Sequence, residues 1–279
     1  MADVEVVKTG PVMLITLARE ARNNSISGTL LADLADAFEA AARDDDVRVV
    51  VTTGRGRSFC VGADLPELLE HLDLPTHRFL NGPEVGGDRG YGVLSDGLAR
   101  IEDLGVGRFA LRMLALNKPT IAAMNGSAAG GGLGIALLHD YRVAADSARL
   151  STAWTRVGVG PEMGASHILP RLLGYRVALD LMLRSPVLSA AQALDIGLVD
   201  RVAERDGVLD AAMELAGELA ALPTLAVQMV KRMMRESGTA SLEHMLKEEY
   251  RALSVLFDSP HVKDTVRNLS EQVRAKPGP

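Results

Sequence analysis

The stretch Val47 to Thr53, VRVVVTT, constrains this chain most, because a run so rich in β-branched residues is the mark of a strand covered on both faces. It passes straight into Gly54-Arg55-Gly56-Arg57-Ser58, so a buried strand opens directly onto a glycine-rich loop. A second short buried run, Pro119 to Met124 (PTIAAM), leads into Asn125-Gly126 and then Gly130-Gly131-Gly132, just ahead of the apolar residues Leu133 to Leu138. That order reads as strand, turn and helix start. A third strand is expected over Tyr141 to Ala145, and a loop from Trp154 to Gly164 precedes a helix at about Ala165 to Leu173.

Before these segments, Val4 to Lys8 and Val12 to Leu17 flank Thr9-Gly10-Pro11 and predict a hairpin. Leu30, Leu31, Leu34, Ala37, Phe38 and Ala41 recur at helical spacing over Thr29 to Arg43, with Ser27 as the expected cap. Between Leu65 and Asn117 the pattern is mostly helical, interrupted over Asn81 to Gly97 by a glycine-rich stretch that reads as a mobile loop or lid. Beyond Arg176 the chain is helical apart from a strand at Leu198 to Val202. The expected division is a core over 1–200 and an all-helical lobe over 201–279, packed on the core or on a neighbouring subunit.

Composition excludes several classes of function. One cysteine, Cys60, allows no intrachain disulfide, and six histidines lack ligand spacing, so no metal is expected. A net charge of −6 without a Lys/Arg stripe makes nucleic acid a poor partner. No apolar run is long enough to span a bilayer, and Met1 to Glu5 has neither a basic nor an apolar leader region, so a cytoplasmic protein is expected.

The chemistry is expected on two loops. Gly62-Ala63 carries so little side chain that a ligand can approach the main chain, and Gly130 to Gly132 stands where helix-start N–H groups lack intrahelical partners. If the loops converge, one N–H from each can stabilise an enolate oxygen. Neither loop fits a phosphate-binding Walker sequence, since no lysine follows the glycines, and neither forms G-x-G-x-x-G ahead of a helix.

Three segments, GRGRSFCVGADL at 54–65, KPTIAAMNGSAAGGGLGIALLHDYRVAAD at 118–146 and LSAAQALDIGLVDRV at 188–202, resemble the crotonase (enoyl-CoA hydratase/isomerase) family in the family's own order. The resemblance implies an α/β fold, a spiral of ββα turns with a helical C-terminal lobe that forms a homotrimer or a dimer of trimers. It also implies coenzyme A as part of an acyl-CoA substrate and no tightly bound cofactor. It places the oxyanion donors at the backbone N–H groups of Ala63 and Gly131. Around them, Arg22, Cys60, Gly62, Asp64, Leu65, Gly130, Trp154 and Pro161 are the expected substrate and coenzyme A contacts.

The family's hydratases use two glutamates, and here those positions align with Gly134 and Trp154. Hydration needs both a base for water and an acid for the α-carbon, so this departure speaks against it. One carboxylate remains on the second loop, Glu162 in Gly160-Pro161-Glu162-Met163-Gly164, a setting similar to that of the family's 3-enoyl to 2-enoyl isomerases. Isomerisation needs a single base, and Glu162 is the expected one. The alternatives are hydration by another arrangement, aryl-CoA dehalogenation with His71 or His77 as a base, and a scaffold that binds acyl-CoA without turnover. A basic residue common after the first loop is replaced by Pro66, and Arg274 and Lys276 are candidates for coenzyme A contacts.

Overall fold

The computed structural model describes residues 3–71 and 106–275. The segment read as a loop or lid, Asn81 to Gly97, lies outside the described residues, as do His77, Lys276 and the side chains of His71 and Arg274. The chain forms two compact units, Met1–Leu219 and Ala220–Pro279.

The first unit is built on two sheets. The larger has the order β1-β2-β3-β5-β7-β10, and the smaller the order β4-β6-β8-β9. Strands β1 (Val4–Thr9) and β2 (Val12–Leu17) make the expected antiparallel hairpin, with Thr9 opposite Val12. From β2 onward the large sheet is parallel through β3 (Val49–Gly54), β5 (Thr120–Met124), β7 (Tyr141–Ala145) and β10 (Arg201–Ala203). Every residue of β3 and β5 is buried, as a run without polar alternation requires.

Strands β3, β5 and β7 are each followed by a short strand of the second sheet. β3 leads to β4 (Ser58–Cys60), β5 to β6 (Ser127–Ala129) and β7 to β8 (Arg149–Ser151), with β4, β6 and β8 parallel; β9 (Leu188–Ser189) closes that sheet antiparallel to β8. The chain therefore climbs in turns of strand, strand and helix. The sequence shows the long strands, but β4, β6, β8 and β9 are two or three residues long, too short for a periodic signal.

Helix α1 (Leu30–Arg43) buries Leu30, Leu31, Leu34 and Phe38, the apolar face that its spacing predicts. Each such side chain contributes about 1.5–3 kcal/mol by leaving water. Its cap differs from expectation. Thr29 is the N-cap residue, while the Ser27 hydroxyl accepts a hydrogen bond from the Arg19 guanidinium, which Asp3 also holds. The remaining helices of the unit are α2 (Leu65–His71), α3 (Val106–Leu114), α4 (Gly131–Leu137), α5 (Ala165–Leu173), α6 (Tyr175–Arg184), α7 (Ala190–Asp195) and α8 (Val208–Ala220). At α7, Ser189 and Gln192 form a reciprocal capping box.

The division between units falls at Leu219/Ala220, one helix beyond the expected 200/201. The reason is that β10 pairs with β7 in the large sheet, and α8 buries Val208, Ala212, Leu215 and Ala216. The second unit consists of α9 (Thr224–Glu236), α10 (Leu242–Asp258) and α11 (Pro260–Ala275). Arg232 of α9 pairs with Glu248 of α10 at 3.3 Å, and Met245 and Ala252 are buried. Met234, Leu242, Tyr250 and Phe257 stay exposed on these helices. Among the described residues no helix is long and apolar enough to cross a membrane.

Candidate active site

The two loops picked out in the sequence meet. β4 and β6 are hydrogen-bonded neighbours, so the chain leaving β4 through Gly62-Ala63 lies beside the chain leaving β6 through Gly130-Gly131. The approach is closest at Gly62, where φ is +87°. A Cβ there would stand 2.6 Å from the Ala129 carbonyl oxygen and 3.4 Å from the Gly131 nitrogen. Only glycine permits both the backbone angle and the contact.

A short bridge directs the Ala63 N–H. Ile26 pairs with Ala63 in parallel, its N–H donating to the Gly62 carbonyl at 2.7 Å and its carbonyl accepting from Asp64 N–H at 3.3 Å. These two bonds flank Ala63, so its own N–H faces the opposite edge, away from Ile26. No partner for that N–H is found among the described residues, and Gly131 is the first residue of α4, where the N–H has no intrahelical acceptor. Nothing local in the sequence marks Ile26, since its importance comes from a contact with a distant loop.

Two asparagines brace the first loop from behind. Asn24, fully buried, donates to the Arg55 and Ser58 carbonyls at 3.0 and 2.8 Å and accepts from Arg19 N–H. Asn125 accepts from Gly54 N–H at 3.0 Å and donates to the Gly56 carbonyl at 2.9 Å. Both escape sequence reasoning, because a loop asparagine is usually just a turn former.

Glu162 arrives from the loop between β8 and α5 and reaches the glycine triplet. Its Oε1 lies 2.6 Å from the place a Cβ on Gly131 would occupy, and Ile26 Cδ1 lies 2.7 Å from that same place. The carboxylate thus occupies space that only glycine leaves open. The residue is half-buried, and loss of water around the carboxyl group raises its pKa above the ordinary glutamate value. The Trp154 side chain opposes that rise, while its buried indole N–H has no partner at full hydrogen-bond geometry among the described residues.

Left-handed backbone stands beside both residues, at Ala153 (φ +57°) and Met163 (φ +53°). Non-glycine residues there cost about 1–3 kcal/mol each, a cost that persists where surrounding contacts determine the conformation. Here those contacts are visible. Thr152 Oγ1 donates to the Leu181 carbonyl at 2.7 Å and lies 2.9 Å from Ser185 Oγ, which Thr155 Oγ1 also meets at 2.9 Å. The turn bearing Trp154 is pinned to the C-terminal end of α6.

The other expected contacts fall as follows. Cys60 is fully buried, and burial together with the Glu162 charge pushes its thiol up to about 12 against a bond from the Gly62 backbone. Asp64 is buried, accepts from Ser25 Oγ at 2.8 Å and pairs with Arg22 at 3.6 Å, leaving most of the Arg22 side chain exposed. Leu65, at the start of α2, is exposed, as is Pro161; Gly130 lies with Trp154 Nε1 3.9 Å from its Cβ position. Among the described residues no three His, Cys, Asp or Glu side chains form a group able to hold a metal.

The positions aligned with the two hydratase glutamates are occupied otherwise. Gly134 is buried on α4, where a Cβ would meet the Met163 Cβ at 3.1 Å and Sδ at 3.2 Å, and the second is the buried Trp154. Gly134→Glu is therefore expected to cost about 1–3 kcal/mol by overpacking and to confer no hydration. Urea denaturation and a 2-enoyl-CoA hydration assay check this; a stable variant that hydrates would refute it.

The chain is similar to known proteins over most of its length. A family model described as enoyl-CoA hydratase/isomerase matches residues 8–79 and 103–276. The chain is 32% identical over 260 residues to a 4-chlorobenzoyl coenzyme A dehalogenase of an Arthrobacter species, covering 92% of this chain and 87% of the relative. It is 34% identical over 249 residues to the 1,2-epoxyphenylacetyl-CoA isomerase of Escherichia coli, covering 87% and 86%. Its fold matches the crystal structure of an enoyl-CoA hydratase subunit I from Geobacillus kaustophilus with a TM-score of 0.83, at 30% identity and over 99% and 97% of the two chains.

Proposed function

This chain belongs to the enoyl-CoA hydratase/isomerase family and has its crotonase fold, and from that premise we propose that it shifts the double bond of a 3-enoyl-CoA to give the 2-enoyl-CoA. The observation that carries this reading is the single carboxylate, Glu162, lodged against Gly131 while Gly134 and Trp154 stand at the two hydratase positions. In the proposed cycle the thioester oxygen rests on the Ala63 and Gly131 N–H groups. Glu162 takes the proton from the α-carbon, and the electron pair spreads into a dienolate whose oxygen those donors stabilise. The Glu162 acid then returns the proton at the γ-carbon. One group performs both transfers, so no second acid is required.

Burial supports this role, because a base whose pKa is raised towards the working pH accepts a proton more readily. The base must be ionised before it acts. The acid limb of the kcat/KM profile is accordingly expected above the ordinary glutamate range, with activity lost as pH falls through it. A limb within the ordinary range would contradict the raised value.

A second reading rests on the Trp154 side chain, which opposes the rise at Glu162, and on the similarity to the Arthrobacter dehalogenase. There the carboxylate would attack an aryl carbon and expel halide, and a base would then assist hydrolysis of the aryl ester. The exposed apolar side chains of α9 and α10 support a homo-oligomer, which the family resemblance would make a trimer or a dimer of trimers, and a cytoplasmic location is part of the same proposal.

The deciding experiment offers the wild-type protein 3-enoyl-CoA, 2-enoyl-CoA and 4-chlorobenzoyl-CoA. Isomerisation of the first without hydration of the second is the expected result. Fast hydration would overturn it, chloride release would favour the second reading, and binding without turnover of any would leave a scaffold.

A further inference from the structure

Glu162 and Met163 follow one another on the loop before α5, and they cover two positions one turn apart on the same side of α4. Glu162 Oε1 reaches the Cβ position of Gly131. Met163 covers that of Gly134, with its Cβ at 3.1 Å, its Sδ at 3.2 Å and its Cγ at 3.5 Å. Gly134 N–H donates to the Gly130 carbonyl at 2.9 Å, so the helix is regular over this turn.

Met163 is held in a conformation that methionine rarely takes. Ala165 N–H donates to the Glu162 carbonyl at 3.0 Å and closes a turn whose central residues, Met163 and Gly164, have φ of +53° and +76°. Turns with positive φ at both central positions ordinarily use Gly, Asn or Asp there. A methionine in the first of them is strained, and strain of this kind clusters where a site makes use of it. The side chain that this turn presents is 1% exposed, and it lies over a glycine.

We infer that Met163 is the specificity-determining residue of this site: its side chain fills the space above Gly134 that a second carboxylate, or a water beside Glu162, would need, and so holds the site to proton transfer between carbons. The inference rests on the proposed isomerase reading and says what keeps hydration out of it. Hydration joins the oxygen of water to the β-carbon and a proton to the α-carbon, so the water must be seated beside a base and the incoming proton must have a donor. A buried water needs about two to four polar partners, and a thioether is only a weak acceptor. Methionine also adapts its shape to irregular gaps, which suits it to the space that glycine leaves on α4.

Met163→Gly suits the turn and empties that space. In urea, Gly134→Ala is expected to be less favourable to the fold in the wild type than in Met163→Gly, because the three atoms nearest the added methyl group all belong to Met163. Equal shifts of the unfolding midpoint in the two backgrounds overturn the proposal. Given 2-enoyl-CoA, Met163→Gly should form 3-hydroxyacyl-CoA faster than the wild type. Gly134→Glu/Met163→Gly should do so by about 10²-fold or more, the contribution of a second positioned acid or base. Loosened packing alone would slow hydration and isomerisation together, so the telling readout is hydration of 2-enoyl-CoA against isomerisation of 3-enoyl-CoA in one preparation.

If neither variant hydrates faster than the wild type, the proposal is overturned; should the double variant not fold, Met163→Gly alone decides. A wild type that turns over no 3-enoyl-CoA brings down the isomerase reading, whereas the urea cycle and the gain of hydration still decide the role of Met163.

Discussion

Glu162→Gln is expected to lower the rate of 3-enoyl-CoA isomerisation by about 10²–10⁴-fold, the contribution of a positioned general base, while acyl-CoA binding is retained. Glutamine has nearly the same shape and leaves Gly131 uncrowded, so the proposed oxyanion donors keep their places. Single-turnover kinetics and acyl-CoA binding by calorimetry separate the two effects, and a variant with wild-type turnover would remove Glu162 from the mechanism. The same substitution has a stability signature. Burial raises the Glu162 pKa in the folded state, so the fold binds this proton more tightly than the unfolded chain does. The ionised form therefore weakens the fold at neutral pH. That penalty fades as pH falls through the raised folded value and is gone below the unfolded one. Glu162→Gln should melt at or above the wild-type temperature at pH 8, and the difference should close in acid. A variant less stable at pH 8 than in acid, relative to wild type, would contradict the raised pKa.

Gly62→Ala is the second change of large effect, and it acts on the proposed oxyanion site without touching the proposed base. The added methyl group would stand 2.6 Å from the Ala129 carbonyl oxygen and 3.4 Å from the Gly131 nitrogen, both backbone atoms that no side-chain rotation can clear. The φ of +87° adds strain that any L side chain feels, about 1–3 kcal/mol. The two loops must separate, so the Ala63 and Gly131 N–H groups cease to share one target. Losing a single oxyanion donor costs about 10²–10³ in kcat, and that is the expected loss here. Urea denaturation distinguishes lost folding from lost geometry, since a folded variant with a low kcat is the predicted outcome. Wild-type kcat in Gly62→Ala would show that the loops' approach has no part in catalysis.

The contrast between these two sites explains what could be read from sequence. At Gly62 and Gly131 the residue type itself was the signal, because glycine beside a buried strand or at a helix start marks a backbone held open for something. At Glu162 the residue type was ambiguous, as a loop carboxylate next to a helix start has ordinary reasons to exist. Its contact with Gly131 made the difference, and that contact joins separate turns of the spiral. Ser27 shows the reverse case. Its sequence setting predicts a cap, but the Arg19 guanidinium takes the hydroxyl first, and Thr29 begins the helix instead.

The sequence by itself determined the local elements that carry a period or a composition: the first hairpin, the buried strands β3 and β5, the apolar face of α1 and the glycine loops at 62 and 130–132. Its motifs also determined the family. Tertiary structure alone decided that Ile26 would clamp Ala63, that Asn24 and Asn125 would brace the first loop, that α8 would join the core unit, and that Glu162 would reach Gly131. Periodicity and turn chemistry act between residues close along the chain, so they are legible in order. The direction of one N–H or the neighbour of one carboxylate depends on segments brought together only when the parallel sheets form, and no local pattern records that meeting.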